Sequence, residues 1–142
     1  MLANAIRALK RVPPTALVDV VAACEFAWPA EACGLVIDGT VIRGASGNEP
    51  NVTDARSEFR LHPADALALE RAARAGRDIV LWHSHTNPAA PEGMSDVDIR
   101  AAAPNGEPLH AELIHLVVDV RSGRATGTSA FAWDGVGYTR IG

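Results

Sequence analysis

The residues with the most evident chemistry lie in the stretch LWHSHTNPAAPEGMSDVD, residues 81–98. Two histidines, His83 and His85, stand there with a single serine between them, at the end of an apolar run. Because side chains alternate between the faces of a strand, both imidazoles point to the same side, about 6.5–7 Å apart along the backbone. Two imidazoles so placed can converge on one metal ion through bonds of about 2.0–2.1 Å. An HxH pair alone is more often a chance or surface pair, so other ligands must decide.

A serine and two aspartates follow the histidines after a loop rich in proline and glycine. Ser95 and Asp98 have the spacing of a capping box, in which the serine hydroxyl and the acid each bond the other residue's backbone amide. Asp96 and Asp98 also complement the dipole of the helix that begins there. The cap is compatible with metal binding, because it holds the first helical turn rigidly. Two histidines, Asp98 and a water would form the open tetrahedral site of a catalytic zinc. Asp96 is the alternative ligand if the helix begins differently.

Glu31 is the remaining candidate, in the segment WPAEACGLVI between a helix and a strand. Its simplest interpretation is a solvated glutamate, because most glutamates are exposed. If the strand that begins near Gly34 runs beside the strand of the histidines, Glu31 overhangs the same end of the sheet. A glutamate near the ion but not bound to it suits a general acid/base, which takes a proton from water and later protonates the leaving amine.

Hydrophobic periodicity, proline and glycine predict the elements that must position these residues. They predict one α/β domain over residues 1–142, with a single mixed sheet sandwiched by helices. A short segment closed by Pro13 and Pro14 is either a helix turn or a strand. The predicted order after it is a helix, a β-hairpin, a strand, a helix, a strand, a helix and a β-meander.

Several boundaries have specific signals. Thr15 is the expected N-cap of the first long helix, which runs to about Phe26. The dipeptide Asp38-Gly39 favours a type I′ turn in the hairpin. SEFRLHP predicts a strand, after which a helix begins at proline and ends at glycine, in PADALALERAARAG. DIVLWHSH predicts a strand in the middle of the sheet.

Three segments together, PAEACG, LWHSH and MSDVD, resemble the signature of the JAMM or MPN-plus zinc metalloprotease family. That signature is an upstream glutamate, HxH, a spacer and SxxD. The resemblance extends from about Ala16 to Trp133 and includes five functional positions in the right order. The CG dipeptide after the glutamate is more similar to the bacterial and phage-tail branch than to the eukaryotic deubiquitinases.

The resemblance implies a function for each of the five positions. The zinc ligands would be His83, His85 and Asp98. Glu31 would be the general acid/base, and Ser95 would help to stabilise the oxyanion. The family fold, a sheet sandwiched by helices, agrees with the predicted element order.

Two features depart from the family signature. Thr86 stands where the family usually has a proline after the second histidine, and the spacer TNPAAPEGM is longer than usual by two residues. The ligands survive both changes, so we expect the departures to affect the loop over the cleft and the choice of substrate.

The other histidines and the cysteines have simpler interpretations. Cys24 and Cys33 are expected to be reduced thiols, the first of them in the core. His62 is expected at a helix entry. His115 is expected in the core or on a sheet face, where it could also be a partner of a zinc histidine. Trp82 should point away from the histidines and pack on the opposite face.

Composition excludes several classes of function. The 142 residues carry a net charge of −4 without a basic stripe, so nucleic-acid binding is not expected. The apolar stretches are interrupted by charge and too short to cross a bilayer. The N-terminus lacks the pattern of a signal peptide, which predicts a cytoplasmic protein, or a virion-tail protein if a phage encodes it.

The sequence therefore predicts a zinc metallopeptidase or isopeptidase. Its substrate would be a peptide or a ubiquitin-like protein, with phage tail proteins as partners in the phage branch. One alternative is a structural or interaction module of a phage tail that keeps the metal without catalysis. Another is a metal-dependent hydrolase of a small-molecule amide or a cell-wall peptide. Glu31 favours an enzyme, because a module without catalysis needs no acid/base there.

Overall fold

In the computed structural model, which describes residues 2–43, 61–89 and 92–142, six apolar segments form one mixed sheet and four segments are helices. The helices are α1 (Leu2–Lys10), α2 (Pro14–Ala27), α3 (Pro63–Arg74) and α4 (Asp96–Ala102). The strands are β1 (Cys33–Ile37), β2 (Thr40–Arg43), β3 (Ile79–His85), β4 (Ile114–Arg121), β5 (Arg124–Trp133) and β6 (Tyr138–Arg140). The predicted fold class, an α/β fold with a single mixed sheet, is confirmed.

The sheet has the strand order β2-β1-β3-β4-β5-β6. All neighbouring strands are antiparallel except β3 and β4, which are parallel and pair from Val80 opposite Ile114 to His85 opposite Asp119. A parallel pair needs a crossover connection. Here the crossover contains α4, so the chain that leaves the carboxyl end of β3 leads to the segment that carries Ser95 and the predicted metal ligand Asp98. Open α/β sheets commonly bind ligands at this end of parallel strands.

The two faces of the sheet bury different cores. One face packs against α2, and its buried cluster includes Val20, Cys24, Val36, Trp82 and Val118. The other face packs against α3 through a smaller buried cluster of Leu35, Leu69, Ala72, Ile79 and Leu113. Helices therefore cover both faces, as the sequence predicts.

Successive side chains of β3 point to opposite faces of the sheet, and this alternation decides which residues face each core. Trp82 is 1% exposed and lies on the α2 face, which confirms that it packs away from the histidines. His83 and His85 consequently lie on the α3 face, beyond the end of its apolar cluster. Cys24 is buried in the α2 core as predicted, and neither Cys24 nor Cys33 is part of a disulfide.

The start of the chain differs from one prediction. The segment before the proline pair is a helix, which decides between the two alternatives for it. Thr15 is not the N-cap: α2 begins at Pro14, and Pro13 is the capping residue, with no side-chain hydrogen bond. Proline favours the first helical position because its φ is already helical and its missing N–H would be unpaired there anyway. This preference moves the start of the helix ahead of the threonine.

The hairpin and the entry to α3 follow the sequence closely. Asp38 and Gly39 have φ values of 48° and 82°, the left-handed backbone that a type I′ turn requires. His62 caps α3 through its Nδ1, which accepts a hydrogen bond from the Ala64 amide at 3.1 Å, so its predicted role at a helix entry is confirmed. Most of the predicted strand SEFRLHP lies outside the described residues, and Leu61 and His62 at its end are not in a strand.

In the part of the chain that the structure describes, no helix combines the length and the hydropathy that a bilayer crossing requires.

Gly34 is predicted to be intolerant of a side chain, because a Cβ there would overlap the indole ring of Trp82 and the carbonyl oxygen of Ile42. We expect Gly34→Ala to lower the free energy of unfolding by about 1–3 kcal/mol, the usual cost of overpacking a core. Urea denaturation measures the difference. Gly127→Ala is the matched control, since it also lies in a strand but has open space around the new methyl group. Equal stability of the two variants would contradict this packing of Trp82.

Candidate metal centre

Three side-chain atoms meet at the carboxyl end of β3. The Nε2 atoms of His83 and His85 are 3.0 Å apart. The Oδ2 atom of Asp98 lies 3.1 Å from the first and 2.9 Å from the second. Both histidines are buried, and Asp98 is partly buried. The three predicted ligands therefore form one group that could hold a metal ion.

The donor set fits zinc. Two imidazoles and one carboxylate are typical ligands of an open, catalytic zinc site. Tetrahedral bonds of about 2.0–2.1 Å require ligand atoms roughly 3.3–3.4 Å apart. The separations of 2.9–3.1 Å are only a few tenths of an ångström shorter. Small side-chain adjustments are sufficient to receive an ion.

The cap of α4 brings the carboxylate to the histidines. Ser95 is the N-cap, and its hydroxyl oxygen accepts a hydrogen bond from the Asp98 amide at 3.2 Å. In return the Ser95 amide donates to Asp98 Oδ2 at 2.9 Å. This is the same oxygen that faces both imidazoles. The predicted capping box is present, and it also positions the acidic ligand.

Asp96, the alternative acidic ligand, is not part of this group. It lies one position into α4, and its side chain is exposed. The group contains Asp98 instead, because the capping box turns that side chain back towards the strand end.

The electrostatics suit a cationic ligand. Burial raises the pKa of Asp98, but its hydrogen bonds with His83 and His85 outweigh burial and hold that pKa well below the usual range. Burial lowers the pKa of His83, which favours the neutral imidazole that binds a metal. Burial lowers the pKa of His85 as well, but the hydrogen bond with Asp98 and the negative charges of Asp98, Glu31 and Asp119 together outweigh burial and raise that pKa. A proton and a metal ion would therefore compete for His85.

Glu31 lies at the same end of the sheet. β1 pairs with β3 in antiparallel register, with Cys33 opposite His83. The pairing continues past β1, since the Ser84 amide donates to the Ala32 carbonyl at 2.9 Å and the Ala32 amide donates to Ser84 Oγ at 2.8 Å. This register brings Glu31 opposite His85, as expected if the two strands are neighbours. Its side chain is only 5% exposed.

All five predicted site residues line one cavity of about 750 Å³. Away from the metal group, the wall is mostly apolar and comes from α3, α4 and the segment before β4. These apolar lining residues are Leu61, Ala66, Leu69, Leu81, Val97, Ala101, Ala102, Leu109 and Leu113. The arrangement is a polar, metal-competent end joined to an apolar cleft.

His115 also lines this cavity, although its ring is 5% exposed. It lies on β4 opposite Leu81 and makes an edge contact with the Tyr138 ring, with ring centroids 5.0 Å apart. The prediction that it lies on a sheet face is confirmed. Burial lowers the pKa of His115 to about 4.

The sequence analysis missed Asp119. This β4 residue pairs with His85 in the sheet and is 4% exposed, with its Oδ1 atom 3.9 Å from His85 Nδ1. The available signal was an aspartate inside the apolar strand HLVVDV, since an ionisable group is seldom buried without a partner.

The mixed sheet with helices on both faces, and the His-His-Asp group at the end of its central strand, are features of a JAB-domain protein. The family model for prokaryotic homologs of the JAB domain matches residues 14–134. The chain belongs to this family.

Solved structures from two bacteria share the fold. The solution structure of a Desulfitobacterium hafniense protein aligns with a TM-score of 0.59 and 23% sequence identity, covering 89% of this chain and 86% of that chain. The solution structure of a Salinibacter ruber protein aligns with a TM-score of 0.54 and 21% sequence identity, covering 90% of this chain and 86% of that chain. At these identities the likeness concerns the fold alone. Among curated proteins, none matches the sequence significantly.

The buried imidazole of His115 is predicted to weaken the apoprotein in acid. A histidine with a pKa near 6.5 when unfolded and about 4 when folded gains its proton only on unfolding between those values, so stability falls as pH drops through that window. Between pH 7 and pH 4.5, the free energy of unfolding of the wild type should fall by about 2.5 kcal/mol more than that of His115→Gln. Urea denaturation in the presence of chelator measures both. Parallel losses in both proteins would contradict this effect of burial.

Proposed function

We propose that the protein is a zinc-dependent peptidase or isopeptidase that hydrolyses a peptide or isopeptide bond with an activated water. The observation that carries the proposal is the convergence of His83, His85 and Asp98 at one point, with Glu31 and Ser95 lining the same cavity. Membership of the JAB-domain family is consistent with a hydrolase.

The three ligands would each hold zinc through one atom, the two Nε2 atoms and Asp98 Oδ2. When bound, zinc supplies a Lewis acid that lowers the pKa of a coordinated water towards about 7 and polarises the scissile carbonyl. The Glu31 carboxylate takes a proton from the attacking water and delivers it to the leaving nitrogen, which cannot depart as an anion. The partial enclosure of Glu31 in the cavity keeps that proton from bulk solvent.

Ser95 is suited to stabilise the oxyanion. Its hydroxyl oxygen already accepts from the Asp98 amide, and no described residue takes its own proton. The hydroxyl can therefore donate to the carbonyl oxygen of a substrate as negative charge develops there. Such donors contribute about 10²–10³ in rate in enzymes that form oxyanions.

The apolar cleft suggests how a substrate would bind. A cavity of about 750 Å³ with mostly aliphatic walls is large enough for a few residues of an extended chain. We propose a peptide segment as the substrate, including the C-terminal tail of a ubiquitin-like protein. Comparing a short fluorogenic lysine isopeptide with a folded ubiquitin-like conjugate would separate a small-peptide hydrolase from an enzyme that needs the folded domain.

The structural-module alternative has less support. Glu31 is 5% exposed, and burying a carboxylate carries a desolvation cost that a module without catalysis has no reason to retain. The phage-tail setting is an inference from the resemblance around the CG dipeptide. Co-purification of the chain with tail proteins is its test.

Removing one ligand should abolish metal binding. We expect the wild-type protein, purified without chelators, to hold about one zinc per chain, and His83→Ala to hold none, since its remaining two ligands are too few for a stable site. Elemental analysis by mass spectrometry measures the ratio, and circular dichroism checks that the variant is folded. A wild-type protein free of zinc, which also fails to take up added zinc, would refute the proposed function.

Glu31→Gln should separate metal binding from turnover. We expect it to keep its zinc and to lose at least about 100-fold in kcat, because the amide can neither take nor return the proton. The assay is cleavage of fluorogenic peptide and lysine-isopeptide libraries. Glu112→Gln is the matched control, since Glu112 is exposed and does not line this cavity. Full activity in Glu31→Gln would exclude this glutamate as the acid/base.

A further inference from the structure

We propose that Asp119 is a positioning residue of the metal centre, which orients the imidazole of His85. Asp119 is outside the ligand and acid/base set described above, and the inference rests on the proposed metal site. It gives a function to the buried carboxylate of β4, which is not one of the five predicted site residues.

The sheet places Asp119 directly beside His85. The two residues are register partners in the parallel β3–β4 pair, so both side chains leave the same face of the sheet. His85 Nδ1 and Asp119 Oδ1 face each other at 3.9 Å. Both atoms are buried, and neither has a hydrogen-bond partner in the described part of the chain.

Metal binding would give this pair a function. A metal on His85 Nε2 fixes the ring proton on Nδ1, which then becomes a buried donor. A buried donor without an acceptor costs about 1–3 kcal/mol. Asp119 Oδ1 is the acceptor that faces it, and an approach of roughly 1 Å brings the two atoms to hydrogen-bond distance. Carboxylates often fix the tautomer and orientation of metal-ligating histidines in this way.

The test compares zinc affinity with stability in Asp119 variants. Zinc dissociation constants are measured by competition with a chromophoric chelator, and thermal unfolding is followed with zinc and with excess chelator. We expect Asp119→Ala to raise the zinc dissociation constant about 10- to 100-fold, the typical effect of removing such a partner. Its zinc-induced rise in Tm should shrink accordingly. Asp119→Asn keeps a carbonyl oxygen and should recover part of the affinity.

Ser129→Ala is the matched control. Ser129 is a buried polar residue on β5, opposite Val117 of β4, and its Oγ has no hydrogen-bond partner among the described residues. We expect this variant to bind zinc as the wild type does, even if its Tm in chelator changes. A merely structural aspartate would lower the Tm in chelator and leave the zinc dissociation constant unchanged.

The inference is overturned if Asp119→Ala binds zinc within about threefold of the wild type. Where the alanine variant does not fold, it is overturned if Asp119→Asn binds zinc as tightly as the wild type. A loss of affinity in Ser129→Ala equal to that in the Asp119 variant would overturn it too. Wild-type protein that binds zinc while the Asp119 variants are unaffected rejects only this inference. Wild-type protein that does not bind zinc rejects the proposed function as well.

Discussion

A single carboxylate oxygen, Asp98 Oδ2, connects the end of β3 with the first turn of α4. It accepts from the Ser95 amide and faces both imidazoles of the HxH pair. The same oxygen thus belongs to the cap that begins α4 and to the group of side chains that could hold a metal ion. A capping box is usually a device of local helix stability. In this protein it also fixes the position of a metal-competent carboxylate, because β3 ends directly beside the cap.

The extent to which the sequence predicts the site depends on how local each signal is. The HxH pair and the capping box are set by spacing within a few residues, and both are found as predicted. Glu31 is different, because its position depends on which strand β1 pairs with and in which register. That information is non-local, and the family resemblance supplied it. Asp119 has no motif around it, and its partner His85 lies on another strand, so only the tertiary structure identifies the pair.

The error at the start of α2 has a local physical cause. Thr15 is a good N-cap residue by type, but the proline pair before it has the backbone angles that start a helix earlier. Two acceptable local structures compete there. Such a competition shifts the end of a helix by a residue or two and leaves the order of the strands unchanged.

The crossover between the parallel strands has a consequence for how the chain folds. Most neighbouring strands in the sheet are antiparallel. The parallel β3–β4 pair is different, because its formation closes the whole connection through α4 and so costs chain entropy. An ion held by side chains of both β3 and the first turn of α4 would tie together the two ends of the segment that joins them. It would then act as a cross-link that limits local opening between β3 and α4.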